Sequence, residues 1–370
     1  MRKEHDGVTR VLYRLIDEIN RTKQIDPLFI SPIVPPHNEQ QVEMFHVPSF
    51  AFPGYKDYRV AWPTRIFFED KLNDFNPDLI HINSPCPLGS AAVKYGRVNN
   101  IPVVATYHTH FPSYAKYYNV KALQEIGWDY LRNLYNKCQT VYVPSLPVLE
   151  ELKAHGFETV EFLPHGVDTK IFAPDAKSDQ WKRNLRIENK YALLFAGRLV
   201  WEKGLQTLVE TYLTLSAQRS DIKFVFAGDG PLMNELISLM PDAIFLGQQT
   251  VNELAVSFAS SDVFVFPSTT ETFGNVTLEA MASGLTPVCV KEGGAYGMIK
   301  DGITGFIAKP RNPSDIAYKM NTLLNNMELR LNMSLNAIQF ANTQSWENNF
   351  TKLFHSYETT IRNYNLKSAA

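Results

Sequence analysis

Two cations stand five residues apart in Phe195-Ala-Gly197-Arg198-Leu-Val-Trp-Glu-Lys203-Gly204, where an apolar run gives way to a loop entering a helix. Arginine clamps phosphate oxygens in pairs and lysine acts as a point charge, so the two suit a diphosphate. Taken alone, the segment is more simply read as a solvated basic loop. A second cluster is Pro267-Ser-Thr-Thr-Glu271-Thr-Phe273-Gly274-Asn275-Val-Thr-Leu278-Glu279-Ala-Met-Ala-Ser-Gly284. Asn275 is predicted to cap a helix that ends at Gly284, and Gly274 lets an anion approach the amides of its first turn. Glu271 lies before that helix and Glu279 one turn inside it, so both can address one ligand at its N-terminus. Singly, each is more simply a solvated or dipole-favoured acid. His108, in Tyr107-His-Thr-His110-Phe111, follows another apolar run. A lone histidine is more often structural than catalytic, and His108 with His110 lacks a third ligand for a metal. Asp6-Gly7-Val-Thr-Arg10 opens an amphipathic helix over 11–20 and reads as a turn that approaches phosphate, on the strength of one glycine.

The elements that must position these residues alternate. Apolar runs at 28–34, 79–82, 103–106, 140–143 and 160–163 read as strands, with helical patterns over 64–75, 86–98, 121–137 and 146–155 between them. After a polar stretch over 174–190, strands follow at 192–196, 223–227, 243–246, 263–266 and 286–290. Strand-helix-strand alternation implies parallel, doubly wound sheets, whose ligands sit outside the carboxyl ends of the strands. The loops that carry Arg198, Glu271 and His108 each leave such an end. The predicted architecture is α/β, with two Rossmann-like sheets facing a cleft. The predicted parts are an N-terminal domain over 1–170, a C-terminal ligand-binding domain over 171–345, and a helix over 346–370 that crosses back to the first.

Composition removes other classes. Of 370 residues, 45% are hydrophobic and 20% charged, which fits a soluble globular chain and neither disorder nor a disulfide scaffold. Thirty-six Lys and Arg against 38 Asp and Glu give a net charge of -2, so there is no electrostatic footprint for nucleic acid. The three cysteines form no C-x-x-C. The first residues hold no apolar leader and no run is long enough to span a bilayer, so the expected location is cytoplasmic. No D-x-D pair exists to hold a divalent ion on a sugar diphosphate, so cations and helix amides are expected to neutralise the leaving group without a metal or other cofactor. No P-loop is present, and Gly228-Asp-Gly230-Pro231 puts Met233 where a dinucleotide fingerprint needs its last glycine.

In order, G-R-L-V-x-E-K-G, F-A-G-D-G-P, the E-x7-E element from Glu271 to Glu279, Gly293-Gly294 and Asp301-Gly-Ile-Thr-Gly305 resemble the large family of retaining glycosyltransferases with the GT-B fold, glycosyl transferases group 1. Ala105-Thr-Tyr-His108-Thr-His-Phe-Pro-Ser-Tyr114, Tyr117-Tyr118 and Leu163-Pro-His-Gly-Val-Asp168 look like its branch of α-mannosyltransferases and sulfoquinovosyl- and glucosyl-diacylglycerol synthases. The resemblance implies transfer of a hexose from a nucleotide-diphosphate sugar to a lipid or glycan hydroxyl with retention at the anomeric carbon. It implies that Arg198 and Lys203 bind the diphosphate and that Glu279 binds the ribose. Glu271 and the amides of Phe273, Gly274 and Asn275 would meet the donor sugar and its phosphate, with Gly197 and Leu278 also in the donor site. His108 matches the histidine beside the transferred sugar, and Gly7 the loop that approaches the phosphates from the other domain.

The acceptor is less legible. Aromatic and basic residues mix over 111–137, including Trp128, Tyr130, Arg132, Tyr135 and Lys137, which suits peripheral contact with the inner membrane face or, equally, a helix with an aromatic core face. The family opens with a hydrophobic strand before the loop at Gly7, whereas Met1–Asp6 are charged except for Met1. The expectation is a missing first strand, through a truncated reading frame, with unpaired neighbours in the N-terminal sheet. Two rival functions are a nucleotide-sugar epimerase of the same fold and a non-catalytic sugar-nucleotide sensor. A nicotinamide oxidoreductase is a distant third.

Overall fold

The computed structural model describes residues 7–52, 55–61, 65–110, 112 and 121–368. The first part runs α1 (Gly7–Thr22), β1 (Leu28–Ser31), β2 (Glu43–His46), β3 (Ser49–Phe52), β4 (Tyr55–Ala61), α2 (Arg65–Phe75), β5 (Ile80–Ile82), α3 (Pro87–Val98), β6 (Val103–Thr106), α4 (Lys121–Tyr135), β7 (Thr140–Val143), α5 (Leu146–Ala154) and β8 (Val160–Phe162). β5-β6-β7-β8 form one parallel sheet and β1-β2 a separate parallel pair, while β3-β4 is an antiparallel hairpin. Among the described residues no strand joins β1 to β5. Met1–Asp6, on which the expected absence of a first strand turns, lie outside the described residues.

The second part runs α6 (Asp179–Asn184), β9 (Tyr191–Ala196), α7 (Leu205–Gln218), β10 (Ile222–Ala227), α8 (Met233–Leu239), β11 (Ile244–Gly247), α9 (Val251–Ser260), β12 (Val263–Phe266), α10 (Asn275–Ala282), β13 (Pro287–Val290), β14 (Phe306–Ala308), α11 (Pro313–Asn325) and α12 (Met327–Asn342). Its six parallel strands stand in the order β11-β10-β9-β12-β13-β14. That is the doubly wound 3-2-1-4-5-6 arrangement, whose direction reverses between the first and fourth strands. Helices cover both faces, so the middle strands are apolar throughout: Leu193, Leu194 and Phe195 are fully buried, as are Phe264 and Val265.

The last helix, α13 (Trp346–Ser368), leaves the C-terminal part and packs on the N-terminal sheet. Phe350, Leu353 and Phe354 share a core with Leu15 and Ile19 of α1, Val104 and Tyr142. Polar side chains pin the same contact: His81 Nδ1 meets Tyr357 Oη at 2.5 Å, His81 Nε2 meets Thr106 Oγ1 at 2.7 Å, and Tyr142 Oη donates to Ser356 Oγ at 2.8 Å. Where the chain crosses, Val167 pairs beside Ser345, and a side chain on Gly166 would strike the Trp346 backbone.

Candidate functional site

The reversal of the C-terminal sheet brings two loops together. β9 and β12 are hydrogen-bonded neighbours, Val263 opposite Leu193 and Phe264 opposite Leu194. The loop leaving β9 carries Gly197, Arg198 and Lys203, and the loop leaving β12 carries Glu271 and Phe273. Lys203 Nζ pairs with Glu271 Oε1, which also accepts from Ser268 Oγ at 3.2 Å. Arg198 is exposed at the mouth. The G-D-G-P segment after β10 shores up this loop rather than binding a dinucleotide: Leu199 N–H donates to Asp229 O, and a Cβ on Gly228 would lie 2.0 Å from Gly197 O.

Helix α10 begins one residue earlier than the sequence predicts. Gly274, at φ +86°, is the N-cap, and Asn275 is the first helical residue. A left-handed cap favours glycine, and any side chain here would also meet Ala295. Asn275 therefore does not cap; its side-chain oxygen accepts from His165 Nδ1 at 2.8 Å instead. Among the described residues no acceptor takes the N–H groups of Phe273, Gly274 or Asn275. With the helix dipole behind them, these amides make an end suited to an anion. Leu278 is buried in the C-terminal core, where it seats the helix.

Glu279 is almost buried. Arg10, from the first turns of α1, reaches its Oε1 at 3.5 Å across 269 residues of sequence, while Oε2 has no hydrogen-bond partner among the described residues. Burial pushes the Glu279 carboxyl up, opposed by the charges of Arg10 and Arg14. Arg14 itself pairs with Asp168 at 3.0 Å. Gly7 approaches the same helix end: a Cβ there would lie 3.8 Å from Asn275 Nδ2. The N-terminal half thus meets α10 through α1 at Gly7 and Arg10, with the Arg14–Asp168 pair beside them.

His108 completes the cleft from the other side. β5 and β6 are neighbours, so Asn83 after β5 meets His108 after β6. Asn83 Oδ1 accepts from His108 Nε2 at 3.0 Å, which leaves Nδ1 the bare acceptor, buried and without a partner among the described residues. The backbone oxygen of His108 accepts from Thr272 Oγ1 at 2.7 Å, and Ser145 Oγ donates to Thr272 O at 2.6 Å. The loop between Glu271 and Gly274 is therefore clasped by the ends of β6 and β7. Burial holds the His108 imidazole well below its usual range, with His165 and His81 adding to the effect.

His165 carries no role in the sequence reading, although its motif was legible. Its ring lies 4.9 Å from Phe273 and 5.6 Å from Trp346, and it joins the chain crossing to the start of α10. Burial lowers its pKa from 6.5 to about 4. His81 is lowered likewise to about 4 by burial. Each is neutral in the fold and charges in the unfolded chain near pH 6.5, so the unfolded state binds more protons as pH falls. The stability they supply is complete above about pH 6.5 and lost on acidification toward pH 4, by at most about 3 kcal/mol for His165. Denaturant melts from pH 7 to 4.5 should show this decline; a flat profile would contradict it.

Among the predicted membrane-facing residues, Trp128 and Tyr135 are core, 2% and 1% exposed. Packing with Phe157 and Tyr107 explains both, and the interfacial reading is corrected for them. Arg132 pairs with Asp129, whereas Tyr130 and Lys137 are exposed; residues 111 and 113–120 lie outside the described residues. No described helix is long and apolar enough to cross a membrane.

Comparison with known proteins gives these loops a context. A family model described as glycosyl transferases group 1 matches residues 177–340, and one described as glycosyltransferase family 4 matches residues 5–171. A GDP-mannose-dependent alpha-mannosyltransferase of Corynebacterium glutamicum is 32% identical over 308 residues, spanning 82% of this chain and 73% of that protein. A sulfoquinovosyl transferase of Arabidopsis thaliana is 32% identical over 318 residues, 82% of this chain and 61% of its own. The Anabaena HepE protein, solved in complex with UDP, is 16% identical with a TM-score of 0.77, covering 94% of this chain and 96% of that one, and so shares the fold. The chain belongs to the glycosyl transferases group 1 family: it is a hexosyltransferase with two Rossmann-like sheets in the GT-B arrangement.

Proposed function

We propose that the protein transfers a hexose of the mannose or glucose type from a nucleotide-diphosphate sugar to a lipid or glycan hydroxyl, with retention and without a metal. The observation that carries this is the meeting at one sheet reversal of Arg198, Lys203, the amide-lined start of α10 and the unpartnered Glu279 Oε2, with His108 opposite. Relatives named as GDP-mannose-dependent mannosyltransferases, a sulfoquinovosyl transferase and an alpha-monoglucosyldiacylglycerol synthase support the sugar and acceptor classes.

In this reading Glu279 accepts from a ribose hydroxyl, while Arg198, Lys203 and the amides of Gly274 and Asn275 hold the diphosphate. Glu271 and the bare Nδ1 of His108 accept from sugar hydroxyls and orient the reacting carbon. The bond from that carbon to the diphosphate breaks with its electron pair on the phosphate oxygen. The acceptor oxygen bonds the carbon from the same face, and its proton passes to the departing phosphate. Preorganised cations and amides at the leaving group supply the main stabilisation.

Glu279→Gln should weaken donor binding by roughly tenfold with a smaller change in single-turnover rate, as expected for one hydrogen bond to a charged group. Glu271→Gln should slow the single turnover more than it weakens binding. Donor affinity and transient kinetics on both variants separate the roles, and equal effects on both quantities would contradict them. Chelator should leave the transfer rate unchanged; abolished transfer, restored by a divalent ion, would overturn the metal-free reading.

A further inference from the structure

We propose that a groove between α3 and α4, remote in sequence from the donor loops, takes the phosphate headgroups of anionic phospholipids and seats the N-terminal half on a bilayer. The groove has a volume of about 590 Å³ and is lined by Lys94 and Arg97 of α3 and by Lys137 just beyond α4, with no carboxylate in the lining. None of the three cations has an ion pair or side-chain hydrogen bond among the described residues. The whole chain carries a net charge of -2, so this is a local concentration of positive charge.

Helix dipoles explain one cation near each helix end, Arg97 and Lys137, but not Lys94 a turn earlier, nor the apolar surface around them. Val98 is 66% exposed, and Ile126 is 64% exposed on the same face of α4 as Tyr130, one turn away. Tyr130 Oη bonds both Ser90 Oγ and Pro85 O, which fixes an amphipathic ring across the groove mouth. Arginine supplies a bidentate grip on phosphate and lysines supply point charge, while Val98, Ile126 and the tyrosine ring suit the boundary between headgroups and acyl chains. A nucleic acid or an acidic peptide would satisfy the cations and leave these apolar side chains in water. The inference rests on the groove alone and stands apart from the identity of the donor.

Flotation with phosphatidylcholine vesicles, with and without phosphatidylglycerol, tests it on the full chain. The protein should float with the anionic vesicles and be released by salt. Near an anionic surface each cation contributes about a fivefold preference, so the triple variant Lys94→Gln, Arg97→Gln, Lys137→Gln should lose roughly 150-fold in partitioning. Ile126→Ser should weaken the binding that survives salt. Lys137→Glu, outside the helix, gives a second variant should the triple one fold poorly. Thermal shift by nucleotide sugars without vesicles should be unchanged in every variant, which separates failure of the groove from failure of the donor site. Equal binding to neutral and anionic vesicles, undiminished binding by Lys137→Glu, or capture of a labelled oligonucleotide in preference to vesicles would overturn the proposal.

Discussion

Arg198→Ala is expected to lower kcat/KM for the donor by roughly two to three orders of magnitude, the scale seen when one preorganised group facing developing charge is removed. The loop that carries it is fixed by the sheet, not by the arginine. Gly197 N–H donates to Ala227 O, and Leu199 N–H donates to Asp229 O on the neighbouring strand's loop. Loss of the exposed guanidinium should therefore leave the melting temperature within a degree or two. Steady-state kinetics with a thermal melt checks both halves; a loss below threefold would mean that the loop is merely solvated.

The second large effect is expected from Gly294→Ala, a change of one methyl group. A Cβ at that position would lie 2.0 Å from Thr272 O and 2.7 Å from Ser145 Oγ, and Gly294 N–H donates to Glu271 O at 2.6 Å. The backbone between Glu271 and Gly274 must move to admit the methyl group, carrying Glu271 and the first amides of α10 with it. A displacement near 1 Å in a positioning element costs about a hundredfold in rate. The expected result is a hundredfold slower transfer in a protein that still melts cooperatively. Unchanged turnover would show that the loop is not held by this contact.

What the sequence made legible follows from how each feature is encoded. The strands of the C-terminal sheet are buried on both faces, so Tyr191–Ala196 and Ile222–Ala227 announce themselves as apolar runs. The strand Glu43–His46 is short and charged at its start, and Tyr55–Ala61 mixes Lys, Asp and Arg among its residues; neither presents such a run, so the sequence pattern marks neither as a strand. The loops after β9 and β12 are legible as candidate ligand loops because the residue types in each cluster within a dozen positions. Arg10 against Glu279, and His165 against Asn275, join residues far apart in the chain, and periodicity in one sequence carries no record of such pairs. Asn275 shows the limit of a local rule. Its type favours a cap, but a left-handed Gly274 takes that place and frees the amide side chain for a tertiary contact. The order of the motifs nonetheless named the family, because the sheet reversal needs those loops in that order.

Transfer of labelled hexose in the presence of chelator, with the product's anomeric configuration read by NMR, tests the central claim most directly. Offered GDP-mannose and UDP-glucose with a lipid extract as acceptor, the protein should release nucleoside diphosphate in step with a glycosylated product that keeps the donor's anomeric configuration. Donor isomerised without any acceptor, or an inverted product, would contradict the account.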